Sequence, residues 1–117
     1  MPNYALFLRD DPKVFAALSP SEIEGVIMRY YEWRTSRAAA GQVIGGHKLV
    51  DGTGKVLKQG AAGNPIDGPF TEAKEVMAGL FIIAAKDYDE AVAIAATCPH
   101  VDFGTIEIRE IQPMRAQ

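Results

Sequence analysis

Two short segments of this chain are apolar on both faces of an extended strand. Tyr4-Ala5-Leu6-Phe7-Leu8 puts Tyr4, Leu6 and Leu8 on one side and Ala5 and Phe7 on the other. Gly79-Leu80-Phe81-Ile82-Ile83-Ala84-Ala85 does the same. A strand covered on one side alone alternates with polar residues, so both segments belong in the middle of a sheet. The last extended segment, Thr105-Ile106-Glu107-Ile108-Arg109, alternates cleanly and has one wet face.

Between the strands lie two marked helices. Ser19-Pro20-Ser21-Glu22 has an N-cap serine, proline at the first helical position and glutamate at the third. Leu18 and Ile23 sit as a hydrophobic staple, and Ile23, Val26, Ile27, Tyr30 and Trp33 fall near helical spacing. Ala38-Ala39-Ala40 extends the helix and Gly41 ends it. Asp87-Tyr88-Asp89-Glu90 repeats the cap. Ala91, Ile94, Ala95 and Cys98 then line one face, and Pro99 stops the helix. Arg9-Asp10-Asp11-Pro12 reads as a turn cluster. Gln42–Val50 reads as a second strand, and Asp51-Gly52-Thr53-Gly54 as a turn. Lys55–Gln59 is its short partner strand, and Thr71 caps one or two helical turns.

The order is strand, helix, strands, strand, helix, strand. That is the α+β, ferredoxin-like βαββαβ arrangement with an antiparallel sheet, and it places the two doubly apolar strands at the centre. Two helices cover one face of such a sheet. A second copy, sheet against sheet, is the simplest cover for the other, so a two-fold homodimer is expected.

At 117 residues the chain is one domain, spanning 1–117, with enough core to need no staples. Twelve Lys+Arg against fifteen Asp+Glu give a net charge of -3, with no basic excess for nucleic acid. No apolar run approaches the ~20 residues of a membrane span. The start, Met1–Tyr4, lacks the basic region of a signal peptide. A single cysteine excludes an internal disulfide framework and points to a cytoplasmic protein. HExxH, paired CxxC, GxGxxG and GxSxG patterns are all missing, so no metal and no cofactor is expected. Gly52-Thr53-Gly54-Lys55 lacks the spacing of a P-loop.

Asp67-Gly68-Pro69-Phe70, followed by Glu72, Lys74-Glu75 and Gly79, resembles the DGPF signature of the YCII-related family. Gly45-Gly46-His47-Lys48-Leu49, Asp89-Glu90-Ala91, Cys98-Pro99-His100, Phe103-Gly104 and Ile106-Glu107-Ile108-Arg109 are similar to other segments of its pattern, so the resemblance runs from Tyr4 to Ile111. Glu110 departs from it, where many members have proline. The resemblance implies a ferredoxin-like protomer and a dimeric α/β barrel. It implies little about reaction. Some relatives act on small, ring-derived products, a His-Asp pair has been proposed as catalytic in one branch, and DGPF proteins often neighbour sigma factors.

Two residues carry the chemistry best. His47 follows two glycines, titrates near neutrality and can serve as general base. Asp67 sits in a Gly/Pro-constrained turn, where it either caps the turn or orients His47. Pro69, Phe70 and Glu75 would wall the pocket. His100 reads as a helix-end residue, where partial negative charge favours a charged ring, and Cys98 as a small hydrophobe. The expectation is a cofactor-free enzyme of isomerase or lyase type, acting on a small organic acid or ring-derived metabolite. The alternative is a non-catalytic module that binds a small molecule and is linked to a transcription (sigma) factor.

Overall fold

A computed structural model describes residues 1–58, 63–68 and 75–114. The elements run β1 (Asn3–Asp10), α1 (Pro12–Ala16), α2 (Pro20–Ala39), β2 (Val43–Lys48), β3 (Lys55–Val56), β4 (Ile66–Asp67), β5 (Val76–Ala84), α3 (Tyr88–Ala95), a 3-10 turn (Pro99–Asp102) and β6 (Gly104–Ile111). The sheet has the order β2-β5-β1-β6 with every neighbouring pair antiparallel. The two doubly apolar segments, β1 and β5, are its central strands, and the protomer is α+β and ferredoxin-like.

Both long helices begin where their caps are written. The Glu22 amide donates to Ser19 Oγ at 3.2 Å, and the Ser19 amide donates to Glu22 Oε1 at 2.9 Å. Replacing Ser19 with alanine should cost about 1 kcal/mol, the worth of one N-cap, read from urea unfolding. In α3 the Glu90 amide donates to Asp87 Oδ1, but Glu90 itself accepts from the Lys86 amide rather than from its cap residue.

The core lies between the sheet and these helices. Tyr4, Leu6 and Leu8 of β1 and Phe81 and Ile83 of β5 meet Trp33 of α2 and Ala91, Ile94 and Ala95 of α3. The Trp33 and Phe81 rings meet edge to face at 5.0 Å, and the indole N–H donates to Thr97 Oγ1 at 2.8 Å. Gly46 belongs to this packing. A Cβ there would run into the Phe81 ring, so the space it leaves is filled by the core and not by a ligand.

Four expectations need correction. The second strand is shorter than Gln42–Val50, and β3 pairs with β4 in a separate ribbon instead of with β2. In Lys55-Val56-Leu57-Lys58 the two apolar residues are adjacent, so neither strand face is apolar throughout and the strand is only two residues long. Ile27 is exposed. The inward stripe of α2 runs through the half-buried Ile23, Val26, Tyr30 and Arg37 and the buried Trp33, and Ile27 lies one position off it. The turn cluster at residues 9–12 holds the end of β1 and the start of α1, whose cap is Asp11. The helical turns expected after Thr71 lie outside the described residues. Among the described residues no helix is long and apolar enough to cross a membrane.

Candidate active site

Side chains of β1 alternate between its faces, so Asp10 falls on the same side as Tyr4, Leu6 and Leu8. It is the polar end of a buried row. Asp10 is 7% exposed, and its carboxyl has no hydrogen bond among the described residues. It opens on a cleft of about 1150 Å³ at the end of the sheet. One wall is the β1–α1 junction, a second is the loop from Leu49 to Gly54, and Lys55, Gly68, Val76 and Met77 complete it.

Several other groups around this cleft are already engaged. Asp11 accepts from the Lys13 amide at 3.0 Å, Lys48 pairs with Asp51 at 2.7 Å, and Lys55 pairs with Asp67. Burial pushes the Asp10 carboxyl above its ordinary pKa. His100 and Lys48 pull it back, while Asp51 and Glu75 push it further up. A buried carboxyl whose pKa is raised, facing open space, is a stronger base than an ordinary aspartate and can exchange a proton with a bound molecule. Phe15, Leu49, Val50, Val76 and Met77 supply apolar surface for the body of such a molecule.

His47 and Asp67 lie elsewhere. His47 is exposed on β2, on the face that carries no helix, in a row that crosses the sheet through Leu80 and Phe7 to Glu107. Asp67 is exposed on the β3–β4 ribbon, its carboxylate held by Lys55. No hydrogen bond or ion pair joins the two, and neither lines the cleft. Glu75 accepts from Thr105 Oγ1 and borders a shallower depression of about 560 Å³ with Asp11, Val14 and Phe103. Pro69 and Phe70 lie outside the described residues. Among the described residues, no three His, Cys, Asp or Glu side chains gather as a metal would need.

His100 is not a solvated helix end. It is 2% exposed, five residues past the end of α3, and its Nε2 lies 2.8 Å from the Arg9 carbonyl oxygen. Its other nitrogen lies 2.7 Å from the Tyr30 hydroxyl. The 3-10 turn carries the ring inward, between the Arg9 carbonyl and the Tyr30 hydroxyl. Cys98 is fully buried, and burial pushes its thiol up to about 11, so it packs as a small hydrophobe.

Asp10 is the residue that sequence reasoning passed over. The signal was present, because the two-residue period of β1 continues from Leu8 to Asp10. The Asp-Asp-Pro that follows reads as a turn and hides it.

Residues 3–115 match the model of the YCII-related domain. An uncharacterized protein of Rhizobium meliloti (strain 1021) is 30% identical over 112 residues, covering 92% of this chain and 90% of that one.

Proposed function

The chain belongs to the YCII-related domain family, and on that premise we propose that it is a cofactor-free enzyme of isomerase or lyase type whose site is the Asp10 cleft. One observation carries the reading: Asp10 is a buried carboxyl, without a hydrogen bond among the described residues, that faces a cleft with an apolar lining. The substrate is a small organic molecule with an acidic C–H beside a carbonyl. Asp10 removes that proton or returns it at the neighbouring position. The proton-transfer role expected of His47 and Asp67 passes in this reading to Asp10.

The test is hydrogen–deuterium exchange at such C–H positions. A panel of small keto acids and lactones is incubated with the protein in D2O and followed by proton NMR. The wild type should catalyse exchange in at least one member, and Asp10→Asn should lose about 100-fold or more of that rate. Equal rates in the two proteins would end the proposal. A module linked to a transcription factor would use the same cleft without turnover. Panel members that shift the amides of Asp10 and Met77 but never exchange would favour it.

The helix-free face of the sheet carries Ala5, Phe7, Leu80 and Ile82. We propose that a second copy covers it, since water is a poor neighbour for a continuous apolar band.

A further inference from the structure

Asp10 has no side-chain hydrogen bond among the described residues to hold it, so its backbone sets its place. The ladder to β5 is irregular beside this point, where the register slips between Leu8 and Arg9. On the other side three elements converge on the peptide just before Asp10. The Arg9 carbonyl oxygen lies 2.8 Å from His100 Nε2 in the 3-10 turn. A carbonyl only accepts, so Nε2 carries a hydrogen. In the neutral ring Nδ1 then accepts from the Tyr30 hydroxyl of α2, 2.7 Å away. Burial pushes the Tyr30 phenol up, so it keeps the hydrogen it donates. Gly104 of β6 leaves the room: a Cβ there would land on the Arg9 carbonyl oxygen and lie 2.9 Å from His100 Nε2.

We propose that His100, clamped between Tyr30 and the Arg9 carbonyl, is a positioning residue that fixes the Asp10 carboxyl in the cleft wall. The proposal rests on the Asp10 reading above, but its test reads Asp10 directly. Around that carboxyl stand His100 from the 3-10 turn, Lys48 from β2, Asp51 from the following loop and Glu75 ahead of β5. Asp11 and Lys13 of the α1 turn share the cleft, and Tyr30 stands behind His100.

The experiment follows the Asp10 carboxyl carbon by NMR across pH in the full chain. The wild type should titrate above the ordinary aspartate range. Tyr30→Phe removes one oxygen and frees the imidazole to turn. In that variant the midpoint should fall toward an ordinary aspartate. His100→Ala and His100→Gln both remove the ring that pulls the Asp10 carboxyl down, so they are read against each other: the midpoint of His100→Ala should lie below that of His100→Gln, whose amide N–H can still donate to the Arg9 carbonyl. Exchange in the assay above should fall about 10-fold or more in Tyr30→Phe, the scale expected when a reacting group is slightly misplaced. If the clamp were merely structural, Tyr30→Phe, which keeps the ring, would lower stability and leave the midpoint where it was. An unmoved midpoint in folded Tyr30→Phe overturns the proposal, and that variant decides the matter if His100→Ala does not fold. A moved midpoint in a protein that exchanges nothing would keep the positioning role and sink the enzyme reading.

Discussion

Phe81→Asp should show no cooperative thermal unfolding at 25 °C and above, while Leu80→Asp, one residue away, should unfold as a folded protein. The difference comes from the pleat of β5. Phe81 is 8% exposed, lies edge-on to Trp33 and fills the space beside Gly46. Losing a buried phenylalanine costs about 3–5 kcal/mol. An unpaired carboxylate in its place adds several more, about as much as a domain of this size has to lose. Leu80 points the other way, between His47 and Phe7, on the face without helices. There a carboxylate stays in water in the single protomer. Its cost falls on association: the wild type should sediment as a dimer and Leu80→Asp as one protomer. Circular dichroism melts and sedimentation velocity read the two outcomes. A Leu80→Asp dimer of wild-type strength would remove the open face as the interface.

These two neighbours also mark what the sequence could tell. That β5 is apolar on both sides was legible, because Leu80, Phe81, Ile82 and Ile83 leave no polar face. Which side meets a helix was not, since this depends on the partner elements. Local chemistry was written plainly. The Ser19 box and the Asp87 cap depend on residues three apart, and both helices start there. Pairings across distance were not. Ribbon β3–β4 joins Lys55 to Asp67 and Val56 to Ile66, and nothing near Lys55 announces that partner. His100 was misjudged for the same reason. Its neighbours in sequence are a helix end and a proline, while its bonding partners, Arg9 and Tyr30, lie 91 and 70 residues away. Asp10 lay between these cases, visible to a period-two count and hidden by the turn chemistry beside it.

Asp10→Asn should be more stable than the wild type at pH 7 and equal to it near pH 3. Burial raises the folded-state pKa of Asp10 above its ordinary value of 3.8. Between those two values the folded protein binds more protons than the unfolded chain, so wild-type stability falls as pH rises through that window. Above it the loss is complete. Below 3.8 the carboxyl is protonated in both states and the penalty vanishes. Asparagine has no such window and nearly the same shape. The advantage of the variant should therefore be flat at neutral pH, on the order of 1 kcal/mol for a buried charge without a hydrogen-bonded partner, and close through the acid range. Urea unfolding at pH 7, 5 and 3 measures it. A wild type more stable than Asp10→Asn at pH 7 would mean that the carboxylate is held by a partner in the fold. Asp10 would then be structural, and the proton-transfer role would go with it. If the variant gains stability and loses exchange together, the chain keeps a charge that its fold would be better without. A group retained against stability in this way is one that the chemistry of the cleft requires.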